Sequence, residues 1–214
     1  VSQQSIKAHN FEQIVKESPK NRQTLLFSAT MTDDVTKLIK LSLQNPVRIA
    51  IGSRSKVAEK LRQEFVKVKA QEDKEAILLS LCTRTYTSQG IIFANTKQTV
   101  QRLRMLFYLR GLKASELHAN ISQEARSYEL DRFAKKETDF MICTDVAARG
   151  LDIKGVKLVI NYDMPKDLKT YIHRVGRTAR AGADGVAVSF TGEESRKLVK
   201  KVVKRAKLGN ETVT

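Results

Sequence analysis

Glycine and proline are scarce in this 214-residue chain, at 10 and 3 residues, about half of their ordinary share. Collagen-like and low-complexity architectures are excluded. Two cysteines, Cys82 and Cys143, cannot make a disulfide framework and form no C-x-x-C zinc pair. A reduced, intracellular compartment is the natural expectation. There is no tryptophan, and aromatics make up only 6%, so an RRM-type stacking platform for bases is disfavoured. No apolar run approaches the ~20 residues of a membrane span, so no membrane partner is expected. The opening VSQQSIKAHN lacks the apolar region of a signal peptide. The chain contains no G-x-x-x-x-G-K-[ST] phosphate loop and no Asp-Glu-Ala-Asp run. Acidic residues are also short: 23 against 39 basic ones, a net charge of +16 and a pI near 9.9. That excess is more than solubility needs and points to a polyanion, foremost a nucleic acid.

Hydrophobic residues reach 41%, enough for a core. Apolar runs of strand length fall at 24–28, 47–51, 63–68, 90–94, 139–143, 157–162 and 185–190. Amphipathic segments lie between several of them, at 33–43, 74–82, 99–110 and 124–133. In 99–110 the residues Val100, Leu103, Phe107 and Leu109 fit one side of a helix. Short buried strands alternating with helices predict an α/β fold, a mostly parallel sheet with helices on both faces. A polar stretch at 52–60 reads as a linker. Residues 1–51 hold about two strands and two helices, too few to cover a parallel sheet. They are expected to be the end of another domain, less stable than the rest. Residues 61–192 are expected to fold as one domain. Residues 193–214 form a closing helix and tail, with an apolar stripe of Leu198, Val199, Val202, Val203 and Ala206 and a lysine-rich remainder. That remainder is either a solvated face or an added contact for RNA phosphates.

Three clusters carry chemistry. The densest runs from His173 to Arg180, with Arg174 and Arg177 between them. On a helix the three arginines share a face at i, i+3 and i+6. A guanidinium forks onto phosphate oxygens, so the row could clamp a polyphosphate, although a basic surface helix has the same look. The second cluster, Thr144 to Ile153, follows the apolar run 139–143, and ligands of parallel sheets sit outside the carboxyl ends of strands. It offers the Thr144 hydroxyl, a backbone approach at Gly150 and the Asp152 carboxylate, which could accept hydrogen bonds from ribose. Asp145 reads equally well as a helix cap. The third, Ser28-Ala29-Thr30, is uninformative alone, since Thr30 or Thr32 could simply cap the next helix.

In this order and at these separations the clusters resemble the motifs of DEAD-box RNA helicases of superfamily 2. Residues 28–30 resemble motif III, GIIFANTK (90–97) motif IV, Gln123-x-x-Arg126 motif IVa, 144–153 motif V and 173–180 motif VI. YDMP (162–165) between the last two is also typical. The likeness runs from about residue 20 to about 207. The wording TARAG (178–182) and LRQEFVKVK is most similar to the branch acting in nucleolar assembly of large ribosomal subunits. Ala179 and Ala119 stand where the family commonly has glycine, and both substitutions are expected to cost little. VSQQSIKAHN departs from the family stretch expected before motif III.

The resemblance implies two RecA-like domains with ATP and RNA held across their cleft, residues 61–192 being the second domain and 1–51 the last part of the first. It implies that Arg177 and Arg180 reach the ATP phosphates, with Arg180 as the arginine finger, and that Gly150 and Asp152 also line the ATP site. Thr96, Arg126 and Thr144 would touch the RNA backbone, with Gln123 in support. Ser28 and Thr30 would couple ATP to RNA, with His173 as partner. Mg²⁺ would be held by the first domain, not by residues of this chain. The implied partners are RNA, the first RecA-like domain and pre-ribosomal proteins, in the nucleus or nucleolus. The implied enzyme hydrolyses ATP to unwind or remodel RNA, while the 214 residues alone, without a phosphate loop, are expected to be inactive. The rival expectation is a non-catalytic helicase paralogue that binds RNA or protein.

Overall fold

A computed structural model describes residues 13–27, 33–49, 60–148, 153, 155–208 and 212–213. They divide into two compact units, Val1–Gly52 and Ser53–Thr214. In the first, a helical stretch at 13–17 (α1) precedes α2 (Asp33–Ser42). The predicted strands at 24–28 and 47–51 do not form over their described parts, 24–27 and 47–49. A strand needs partners for its backbone groups, and in a parallel sheet its apolar side chains need cover on both faces. Among the described residues here there are none, and Leu25, Phe27, Val47 and Ile49 are largely exposed.

The second unit is built on one sheet. Its strands are β1 (Leu61–Lys67), β2 (Gly90–Phe93), β3 (Ala114–Leu117), β4 (Phe140–Cys143), β5 (Leu158–Asn161), β6 (Gly185–Thr191) and β7 (Thr212–Val213). The spatial order is β3-β4-β2-β5-β6-β1-β7, and every pairing is parallel. The helices are α3 (Gln71–Ser80), which runs into a π turn at Leu81–Thr85, α4 (Lys97–Leu109), α5 (Gln123–Ala134), α6 (Asp145–Ala148), α7 (Leu168–Val175) and α8 (Arg196–Leu208).

Period-2 alternation sends successive strand residues to opposite faces. Ile91, Phe93, Met141 and Val159 meet Phe133 of α5, Tyr171 and Val175 of α7 and Val202 of α8. Ile92, Ile142, Leu158, Ile160 and Val188 meet Leu78 of α3 and Val100, Leu103 and Phe107 of α4. The predicted two-faced cover is therefore present. Both thiols are buried, and burial pushes Cys82 and Cys143 up to about 12, which leaves neither as a nucleophile at neutral pH.

Strands β3 and β7 and helices α6 and α7 escape sequence reading. Strand β3 reads Ala-Ser-Glu-Leu, with no apolar run to betray it. Helix α7 starts at Leu168, capped by Asp167, whose carboxylate accepts from the Thr170 N–H at 2.7 Å. It stops at Val175 with Gly176 as C-cap. The helix on which the three arginines would share a face does not form: Arg177 lies in a turn and Arg180 opens a short 3₁₀ segment, Arg180–Gly182. The three arginines do not share a helix face.

Candidate functional site

The predicted RNA-facing residues gather at the carboxyl end of the sheet. Phe93 of β2 pairs with Cys143 of β4, which pairs with Leu117 of β3. Thr96, Thr144 and the 118–123 loop follow those three strand ends, and adjacent strands lie about 4.8 Å apart. Thr96 is exposed and caps α4, its hydroxyl accepting from the Thr99 N–H at 3.1 Å. Ser122 caps α5 in the same way through Ala125, at 3.2 Å. That cap places Gln123, exposed, at the start of α5 and Arg126, half-buried, three residues on and on the same side. Thr144 is half-buried at the start of α6, where its carbonyl accepts from the Ala148 N–H.

Behind this edge sits Arg174, 1% exposed. Its Nε and one Nη donate to the two oxygens of Asp145 at 2.6 and 2.7 Å. The remaining N–H groups donate to Asn95 Oδ1, Asn161 Oδ1 and the Asp163 carbonyl. All five guanidinium donors are therefore used, and the cation lies 5.1 Å from the Phe93 ring. Asp163 receives the Asn95 N–H at 3.0 Å and the Lys74 ammonium at 2.7 Å. Asn161 donates to Ser189 Oγ at 2.9 Å. This lattice ties the ends of β2, β4, β5 and β6 together through α7.

On the sequence Arg174 could belong to a phosphate-clamping row and Asp145 could be a helix cap. In the structure the two form an ion pair in which Arg174 is sealed from water and Asp145 is part-exposed. The signal that could have found the lattice is Asn161, a polar residue inside an apolar strand, which needs a buried partner.

Arg177 and Arg180 lie at the other end. The Arg177 Nε donates to the His173 carbonyl at 3.3 Å, and the Arg180 Nε to the Gly176 carbonyl at 2.9 Å. Both line an open cleft of about 660 Å³ together with Lys60, Arg62, Lys157 and Asp184. Lys60 precedes β1, Lys157 precedes β5 and Asp184 precedes β6, so this is the amino end of the sheet. The carboxyl-end rule used on the sequence does not cover it. Arg62 is tied to Glu64 at 2.9 Å and to Tyr86 Oη at 3.2 Å. Arg62 aside, Lys60, Lys157, Arg177 and Arg180 line the cleft with Asp184, a donor set that fits a polyphosphate. His173 is exposed on the last turn of α7.

The turn that delivers the arginine pair is tightly built. Thr178 Oγ1 donates to the Val156 carbonyl at 2.7 Å, wholly buried. Ala179 has φ 54° and is 3% exposed, a left-handed conformation that favours glycine. A Cβ on Gly185 would come within 2.5 Å of Thr178 Oγ1 and 2.6 Å of the Ala179 nitrogen, so glycine is required there for the turn to lie on β6. Ser28, Thr30, Gly150 and Asp152 lie outside the described residues. Among the described residues no group of three or more metal-ligating side chains is present, and no helix is long and apolar enough to cross a membrane.

Comparison with known proteins yields one consistent family. Residues 73–182 match the helicase conserved C-terminal domain. The chain is 50% identical over 200 residues to DEAD-box ATP-dependent RNA helicase 28 of Arabidopsis thaliana, covering 92% of this chain and 25% of that protein. It spans about a quarter of the length of the curated relatives it matches. Among solved structures it is similar to Saccharomyces cerevisiae Dbp5 bound to RNA and ADP BeF3, at 30% identity and a TM-score of 0.82, covering 100% of this chain and 56% of that one. It is also similar to the Escherichia coli DEAD-box protein SrmB bound to the regulator of ribonuclease activity A, at 32% identity and a TM-score of 0.65, covering 72% and 89%.

Proposed function

The chain belongs to the DEAD-box RNA helicases, and on that premise we propose that it supplies the carboxy-terminal helicase module of an enzyme that hydrolyses ATP to unwind or remodel RNA. Residues 61–192 act as the second RecA-like domain and 193–214 as its closing helix and tail. Residues 1–51 belong to the end of the first domain, joined by the linker 52–60. The sequence resemblance to the nucleolar branch supports a role in ribosome biogenesis, with pre-ribosomal proteins as partners.

The observation that carries this reading is the division within motif VI. Arg174 spends every donor inside the protein, whereas Arg177 and Arg180 line an open cationic cleft. Phosphoryl transfer requires positioning and charge neutralisation more than covalent chemistry. Arg177 orients the phosphates, and Arg180 stabilises charge developing on the transferred group. Gly150 and Asp152 hold the ribose side, and the Mg²⁺ ligands come from the first domain. Thr96, Thr144 and Arg126, with Gln123 beside them, grip the RNA backbone by phosphate and 2′-hydroxyl contacts, so recognition follows shape rather than sequence. Ser28, Thr30 and His173 connect the two sites.

Steady-state kinetics on single variants of the full-length enzyme test these roles. Arg180→Lys keeps the charge but loses the planar fork, and its effect should fall on kcat. Ribose contacts persist in ground and transition states, so Asp152→Ala should chiefly raise KM for ATP. Arg126→Ala should weaken RNA binding and leave RNA-free nucleotide binding intact. An Arg180→Lys variant altered only in KM would overturn the assignment. The isolated 214-residue chain should show no RNA-stimulated ATP turnover.

A further inference from the structure

A second cleft, of about 940 Å³, opens beyond the carboxyl ends of β5, β6 and β1. It is distinct from the arginine cleft, which lies at the amino end. Asn95, the neighbour of Thr96, forms part of its wall. It therefore continues the edge on which Thr144 and Thr96 stand, further along the strand order.

Its charge is unbalanced. Six lysines line it, against four carboxylates. Three carboxylates are already committed. Asp163 holds Lys74, Asp167 caps α7, and Glu193 lies 3.2 Å from Lys67 and 3.8 Å from Arg196. Lys69, Lys166, Lys197 and Lys201 remain exposed, with no ion pair among the described residues, and only Glu194 and the capping Asp167, whose charge the cap leaves in place, offset them. Four ammonium groups come from three separate elements: the turn after β1, the loop before α7, and two successive turns of α8, where Lys197 and Lys201 are i, i+4 neighbours on one face. Like charges brought together this way repel one another unless an anion sits between them.

We propose that this cleft is a phosphate track that extends the RNA footprint past Thr96, across the ends of β5, β6 and β1. The inference rests on the RNA-binding reading above, and its four lysines, Lys69, Lys166, Lys197 and Lys201, lie outside the helicase motifs named above. Three strand steps separate β2 from β1, about 14 Å at the usual spacing, which spans about four stacked nucleotides at about 3.4 Å each. The lysines lie on mobile stems without planar forks, so they follow a backbone and do not read bases.

The test uses the 214-residue chain and oligouridylates of increasing length, with affinity measured against salt. Each phosphate neutralised on a single strand adds about −0.7 to the slope of log K against log salt. In the wild type the slope should steepen with length. A variant carrying Lys69→Gln, Lys166→Gln, Lys197→Gln and Lys201→Gln should bind short oligomers normally and lose the length-dependent increment, up to about 3 in slope. A control with Arg84→Gln, Arg110→Gln, Lys113→Gln and Lys136→Gln removes as much charge at the amino end and should behave like wild type. If the two quadruple variants lose affinity equally, the effect is diffuse charge and the track is refuted. If the lysine variant matches wild type at every length while Arg126→Ala still weakens binding, the track is refuted and the RNA-binding reading stands. If the wild type binds no oligomer at low salt, both fall together.

Discussion

The two ends of one parallel sheet hold arginines of the same short motif in opposite states. At the carboxyl end Arg174 is sealed from water and bonded on every donor. At the amino end Arg177 and Arg180 stand half-exposed around an open cleft. Each lies three positions from the next, yet α7 stops between the first and the second. The first arginine therefore turns inward with the helix, and the other two leave with the turn. Burial converts a cation into a structural pin, because its desolvation must be offset by partners fixed in place. Exposure leaves a cation available to a ligand. The same residue type thus serves the fold at one end and lines an open cleft at the other.

The strongest test of that contrast lies at the amino end. An arginine finger is worth about 10³–10⁵ in rate, so Arg180→Ala in the complete enzyme should lower kcat by at least about 10³-fold while the melting temperature of this chain stays unchanged. A variant that melts markedly earlier would show Arg180 to be structural and erase the difference between the ends.

At the carboxyl end the expected loss is stability. Arg174→Ala leaves Asp145 without its cation and three acceptors without a donor. Urea unfolding should report a loss of about 3–5 kcal/mol, the range for breaking a buried pair from one side. Arg174→Lys should recover little, since three ammonium donors on a point charge cannot replace a five-donor fork. Unchanged stability in Arg174→Ala would mean that the lattice around β2, β4 and β5 does not need its centre.

A smaller effect concerns the cap that starts α7. Backbone hydrogen bonding from Thr170 holds the Asp167 carboxyl below its usual range. A depressed folded value means that the cap stabilises fully above the unfolded carboxylate value, about 3.9, and that this contribution is lost as pH falls through the folded value. Asp167→Ala should cost about 1 kcal/mol at neutral pH, and its unfolding curve should converge on that of the wild type in acid. A gap that persists in acid would assign the cost to something other than the ionised cap.

The smallest expected change is Ala179→Gly. Relief of the left-handed conformation is worth about 1–2 kcal/mol. A lost buried methyl, about 0.8 kcal/mol, and the entropy of a glycine, about 0.5–1 kcal/mol, offset it. Thermal unfolding should place the variant within about 1 kcal/mol of wild type, and a larger loss would show that the Ala179 side chain packs the turn more tightly than its strain suggests.

The sequence by itself determined the α/β class, five strands of the second unit to within two residues at either end, the helices α3, α4 and α5, and the family. Those features are local: strand-length apolar runs, period-3.6 stripes, and motif residues in a fixed order. Tertiary structure alone decided that β3 exists, since Ala-Ser-Glu-Leu becomes a strand only by pairing with β4. It also decided that the runs at 24–27 and 47–49 stay out of a sheet, for want of neighbours among the described residues. It decided which arginine is spent on the fold, because Arg174 and Asp145 are 29 residues apart in sequence and no spacing rule joins them. The helix end at Gly176 sets the same limit. An i, i+3, i+6 row is a row only while the helix lasts, and past Gly176 the chain leaves α7 for a turn held by the Thr178 hydroxyl on the Val156 carbonyl, 22 residues away, a contact that no local pattern announces.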